Sequence, residues 1–218
     1  MTWKSVSRTV GPVASEYPSL SRGEQTRARL LEAAVEVLER KGYHAVRVDD
    51  IVKAARTSHG TFYLYFANKE ALIRDLIEEV AAEFAQIAAA LPHLDQSQAS
   101  VVQLRRWIHE FSAVHSRRSA VVRAWTEIAA PGDPAAALGR SVLSMFVVAL
   151  GDRITALHPE CTAATATLTA ATIVAMLERT NYYVLTGHLR SDQDAVVESL
   201  ARATYAIVAA QTDDRPPR

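Results

Sequence analysis

Between residues 58 and 65 the chain gathers Ser58, His59, Gly60, Thr61, Tyr63 and Tyr65. Hydroxyls, an imidazole and phenols are donors and acceptors without a fixed charge. Gly60 carries no side chain, so the backbone there can approach another surface closely. The mixture suits a short helix lying in a DNA groove, where base edges are read by hydrogen bonds. Ser58, His59, Gly60 and Thr61 are the candidate base-facing set, and Tyr63 and Tyr65 can each donate a hydroxyl to phosphate. Arg47, Arg56 and Lys69 lie close in sequence. Lys69 opens a long helix, where an ammonium beside free backbone N–H groups makes a phosphate site. Plainer roles stand beside these: a solvated Lys69, an exposed His59, and tyrosines packed in a core with a wet tip. Phe62 and Phe66 of the same segment read as core.

No catalytic constellation accompanies this segment. The single cysteine, Cys161, sits in a Thr/Ala-rich stretch without a basic neighbour. His44, His59, His93, His109, His115, His158 and His188 are scattered. His109 and His115 are six residues apart, which on a helix points them to different faces. The sequence therefore predicts no enzyme, no metal site and no cofactor, and it holds no Gly-rich phosphate loop.

The 218 residues, 49% hydrophobic and 22% charged, are enough for a sizeable core and exclude intrinsic disorder. One cysteine excludes an internal disulfide and fits a reducing, cytoplasmic setting. The first twenty residues lack an apolar secretory segment, and the apolar runs read as too short or interrupted to span a bilayer. Net charge is zero but unevenly spread. Residues 22–69 hold nine cations against six carboxylates, a net +3, and residues 70–218 carry −4. The asymmetry is the footprint of a part that meets a polyanion joined to one that does not.

The elements that position these residues follow from helical periodicity. Leu30, Ala34, Val37 and Leu38 recur at helical spacing between Glu24 and Lys41, and Gly42 then stops the helix. Two short helices, Val48–Ala55 and Ser58–Tyr65, are separated by Arg56–Thr57, with Ile51, Val52, Ala55, Phe62 and Phe66 as their core. Preceded by the longer helix, they make a helix-turn-helix. Leu72, Leu76, Val80, Phe84 and Ile87 mark a long helix ending at Pro92. Further helices are expected at about 99–116, 118–130, 135–157, 160–186 and 192–211, the last capped by Asp192. No strand alternation appears. The fold class is all-α with about nine helices: a flexible arm (1–20), a helix-turn-helix domain (21–68), a helical bundle (69–211) and a flexible tail (212–218).

Several strings carry a family likeness. Leu31-Glu32-Ala33-Ala34, Lys41-Gly42-Tyr43, Val48-Asp49-Asp50-Ile51-Val52 and, above all, Gly60-Thr61-Phe62-Tyr63-Leu64-Tyr65-Phe66-Ala67-Asn68-Lys69-Glu70-Ala71-Leu72 resemble the DNA-binding domain of the TetR family of bacterial repressors. The likeness covers roughly residues 24–76. Met176 to Thr180, followed by Tyr182, Tyr183 and Gly187, is similar to the penultimate helix of many members. There are departures. Val46 and Arg47 stand where a capping hydroxyl is common, at a cost of about 1 kcal/mol. The turn reads Ala55-Arg56-Thr57 where Ala-Gly-Val is common. An Arg56 in the left-handed conformation would cost about 1 kcal/mol.

The resemblance implies a homodimeric regulator that binds a palindromic operator in double-stranded DNA and is released by a small apolar or amphipathic effector, with no membrane partner. Trp107, Phe111, Met145, Phe146, Met176, Thr180, Asn181 and Tyr183 are the candidate effector-site residues, although ordinary helical core would use the same residues. The Ala/Thr-rich stretch Cys161–Ile173, paired with Val196, Leu200, Ala203, Ile207 and Ala210, is the candidate subunit interface. The other readings are a helical protein-interaction module without DNA readout and an enzyme using the same cavity.

Overall fold

The computed structural model describes residues 21–210 except Gln96 and Pro131. The expected arm at 1–20 and the tail at 212–218 lie outside the described residues. Within them the chain forms nine α-helices, one 3-10 turn and no strand.

Helix α1 (Arg22–Lys41) starts at Ser21, whose hydroxyl accepts from the Glu24 N–H at 3.2 Å while the Glu24 carboxylate accepts from the Ser21 N–H at 2.7 Å. This reciprocal cap satisfies two donors that the first turn would otherwise leave open. Gly42 at φ 71° ends the helix in a conformation that side chains disfavour. After a 3-10 turn (Tyr43–Ala45), α2 (Val48–Ala54) and α3 (His59–Tyr65) form the helix-turn-helix. The expected core is formed: Ile51, Val52, Ala55, Phe62 and Phe66 are all buried.

Helix α4 (Lys69–Ala89) is capped by Asn68, which accepts from the Ala71 N–H at 2.8 Å. It packs on α1, α5 (Gln98–Arg117), α6 (Ser119–Ile128) and α7 (Pro134–Leu157), so it belongs to both parts of the chain. Helices α8 (Ala163–Leu185) and α9 (Gln193–Ala209) close the bundle against α7 and α5. Asp192 caps α9, accepting from the Ala195 N–H at 2.8 Å. The helices agree with the spans read from periodicity to within about three residues at each end.

Ion pairs fix α4 in place. Asp75 pairs with Arg27 of α1, and Glu83 pairs with Arg117 and Arg118 at 2.8 and 2.5 Å. Burial alone would raise the Glu83 pKa, but hydrogen bonds from Arg118 and Arg117 outweigh it and hold the carboxyl below its usual range.

One expectation about membranes fails. Helix α7 is long and apolar enough to cross a bilayer, with a mean hydropathy of 1.5 over its best 18-residue window. The reading of interrupted runs overlooked it because its charges, Arg140, Asp152 and Arg153, lie toward its ends. Its Val142, Phe146, Leu150 and Ile154 face the bundle, while Leu143, Met145 and Val148 are exposed.

Candidate nucleic-acid interface

Helix α3 is held at its N-terminal end. Ser58 caps it: its hydroxyl accepts from the Thr61 N–H at 3.1 Å and lies 2.9 Å from the Thr61 hydroxyl. At the next position the His59 Nε2–H donates to Asp49 of α2 at 2.6 Å. Ser58 and His59 are exposed, yet each already has a structural partner, so neither is wholly free for a base edge. Gly60 is exposed, and among the described residues a Cβ placed there would meet the Ser58 hydroxyl at 3.7 Å.

The remaining residues sort by exposure. Tyr63 is 56% exposed, its ring edge-on to the buried Phe62 at 5.4 Å. Tyr65 is turned the other way: half-buried, it packs against the core and sets its hydroxyl beside Gly23 at the start of α1. Leu64, which residue-type reasoning passed over as apolar, is 82% exposed on the same helix as Tyr63. A large apolar side chain left in water on α3 can contact a thymine methyl in the major groove. Its only sequence signal was its place within the Thr61–Phe66 string.

The cations separate in the same way. Arg47 and Arg56 are exposed, at the start of α2 and in the turn before α3. Arg56 is the only non-glycine residue with positive φ among those described, at 51°, the left-handed geometry that the Ala55-Arg56-Thr57 turn raised. Arg47 caps α2 with no side-chain hydrogen bond; instead its N–H donates to Asp50 at 3.3 Å. Lys69 is drawn inward. Its ammonium donates to the carbonyls of Val46 and Tyr43 at 3.0 and 3.3 Å and sits 4.9 Å from the Tyr43 ring centroid. Lys69 thus ties α4 to the segment before α2 and keeps one N–H for other uses.

In the bundle, an apolar cavity of about 340 Å³ lies among α4 to α8. Phe84, Phe111, His115, Trp125 and Phe146 line it, with Glu178 as its one carboxylate among the described residues. The Phe84–Phe111 and Phe111–Phe146 ring centroids are 5.4 and 5.3 Å apart. His115 is buried, and desolvation lowers its pKa to about 4, against a smaller opposing effect of its hydrogen bond to the Phe111 carbonyl. It is a neutral imidazole at pH 7. Burial raises the Glu178 pKa, partly countered by Arg179.

Of the eight residues expected at such a cavity, Phe111 and Phe146 line it. Trp107 touches Phe146 at 5.9 Å between centroids but spends its indole N–H on the Ile87 carbonyl and borders a separate groove. Asn181 is buried and borders a different cavity. Met176 packs on the core, Thr180 is half-buried, and neither lines the apolar cavity. Met145 and Tyr183 are 44% and 45% exposed on the outer faces of α7 and α8. Helical spacing placed such residues on stripes but could not say which stripe faced inward. The expected subunit interface divides between burial in the single chain and exposure. Ala166, Ala170, Ile173, Val196 and Leu200 are buried within the single chain, whereas Leu168 is 69% exposed.

The arrangement matches known proteins. The family model of bacterial regulatory proteins, tetR family, matches residues 30–76, from α1 into α4. HTH-type transcriptional regulator EthR of Mycolicibacterium smegmatis is 30% identical over 208 residues, covering 94% of this chain and 92% of that protein. An uncharacterized HTH-type regulator of Bacillus subtilis, YvdT, is 48% identical over 52 residues, but the match spans only 24% of this chain and 27% of that protein. A tetR-family regulator from Streptomyces coelicolor has the same fold, with a TM-score of 0.70 at 19% identity over 88% of this chain and 85% of that one. With a short helix presented on a helix-turn-helix, and a relative alike along almost its whole length, the chain belongs to the TetR family and is a DNA-binding transcriptional regulator.

Proposed function

We propose that the protein acts as a cytoplasmic homodimeric repressor whose two α3 helices enter successive major grooves of a palindromic operator. The observation that carries this reading is the exposed face of α3, with Gly60, Tyr63 and Leu64 outward and Phe62 buried beneath. Arg47, Arg56 and Tyr63 contact phosphates. Thr61 and Leu64 meet base edges, with Ser58 and His59 contributing through the groups their intramolecular bonds leave open. Two-fold DNA symmetry calls for a two-fold dimer. Leu143, Met145 and Val148 of α7 and Leu168 of α8 are apolar side chains exposed in the single chain, and burial against a second copy removes them from water.

The apolar cavity is the effector site in this reading. Its aromatic walls favour an apolar body, and Glu178 offers one polar anchor. An effector that spreads the walls acts on Phe84 of α4, and α4 is tied to α1 through Arg27–Asp75. Movement of α4 then changes the separation of the two α3 helices. Fluorescence anisotropy with random-sequence duplex DNA across a salt series tests the reading. Log affinity should fall linearly with log salt, and Arg47→Ala should make the slope shallower by about 1. A salt-independent signal, or one unaltered by Arg47→Ala and Tyr63→Phe alike, removes the assignment.

A further inference from the structure

A second cavity, of about 420 Å³, lies among α5, α6, α8 and α9 and differs in chemistry from the apolar one. Ser112, Ser116, Ser119, Arg123, Asn181 and Gln193 are among the residues that line it, and among the described residues no carboxylate lines it. Three of its buried groups are polar. Ser112 is 3% exposed, and its hydroxyl has no hydrogen-bond partner among the described residues. A buried hydroxyl without a partner is costly, and native structures rarely keep one without a use. Asn181, also buried, donates its Nδ2–H to the Leu177 carbonyl at 2.8 Å, so its acceptor oxygen remains. Buried His115 borders both cavities. It donates from Nδ1 to Phe111, which leaves Nε2 an acceptor.

The inner end therefore offers two acceptors and one hydroxyl, which match a ligand that donates O–H groups. Ser119, the first residue of α6, supplies a hydroxyl at a helix N-terminus that carries no side-chain cap among the described residues, and Arg123, one turn further along, lines the same cavity with a cation. A guanidinium in that cavity matches an anionic group. We propose that this cavity is a second ligand site, distinct from the apolar one, for a small polyhydroxylated anion. Nothing in this proposal requires DNA binding, and its test contains no DNA.

The test is calorimetric titration of the full-length protein with gluconate and with sorbitol, its uncharged counterpart. Gluconate should bind, with sorbitol at least about tenfold weaker, because a charge-assisted hydrogen bond is the stronger kind. Arg123→Gln should bring the two affinities together. Ser112→Ala should weaken both by about fivefold, the scale of one neutral hydrogen bond, without lowering the melting temperature of the free protein. Phe146→Leu, in the apolar cavity, should leave gluconate binding unchanged. Failure of gluconate to bind at millimolar concentration overturns the proposal. So does equal binding by the wild type, Arg123→Gln and Ser112→Ala. Equal weakening by Phe146→Leu and Ser112→Ala overturns the separation of the two cavities.

Discussion

Arg56→Gly should stabilise the protein, although it deletes a long side chain. Arg56 holds φ at 51° in the turn between α2 and α3, where its Cβ crowds the backbone. For an L-residue this geometry costs roughly 1–2 kcal/mol, and glycine adopts it freely. Against that gain stands the larger entropy glycine loses on folding, roughly 0.5–1 kcal/mol. The turn is kept by backbone bonds that glycine preserves, Arg56 N–H to the Lys53 carbonyl at 3.2 Å and Thr57 N–H to the Val52 carbonyl at 2.9 Å. Arg56 is exposed, so the side chain removes little packing when it leaves. The net gain is about 0.5–1 kcal/mol. In a chain of this size that raises the melting temperature by about 1–4 °C. Arg56→Ala is the control: it removes the charge but keeps the Cβ, so its melting temperature should stay at or below the wild type. Scanning calorimetry of the three proteins decides. Equal stabilisation by Gly and Ala would show that charge, not backbone strain, sets the stability of this turn. No stabilisation by Gly would refute the strain argument.

Three other perturbations probe separate parts of the account. Lys69→Ala should lower stability by about 2 kcal/mol, because it strips the Val46 and Tyr43 carbonyls of a charged donor; chemical denaturation beside the exposed-site control Lys53→Ala shows whether the loss is specific. Leu168→Arg should leave the fold intact and yield a monomer by light scattering, since Leu168 is exposed in the single chain, whereas Ala170→Arg should disrupt the fold itself. His115 has a folded pKa depressed to about 4 from 6.5, so the stability tied to its neutral form is present above about pH 6.5 and is lost as pH falls toward 4. The wild type should therefore lose up to about 3 kcal/mol more than His115→Gln between pH 7 and pH 4, measured by urea titration at each pH.

The helix-turn-helix was legible because its signals are local. Gly42 stops α1, and Phe62 and Phe66 repeat at helical spacing, within a few residues of the segments they organise. The turn at Arg56 was legible for the same reason. Tertiary detail was not. The inward pull on Lys69 depends on carbonyls 23 and 26 residues away, and the burial of Tyr65 depends on where α1 begins. In the bundle, α7 and α8 are apolar on most of their surface, so periodicity alone did not separate the stripe with Phe146 from the one with Met145. Helical spacing alone did not place Glu178 and His115 at one cavity, because they lie on helices more than sixty residues apart.

The most direct test of the central claim is selection from a random duplex DNA library by the purified full-length protein, followed by sequencing. Reading by two α3 helices in a two-fold dimer predicts an enriched inverted repeat. Its half-site centres should lie about 34–36 Å apart, or a multiple of that, along the duplex. Repeating the selection with Leu64→Ala should relax the preference at one or two positions in each half-site and leave the spacing unchanged. No enrichment, an asymmetric single site, or a wild-type motif unaltered by Leu64→Ala and Thr61→Ala would contradict the assignment of α3 as the reading helix.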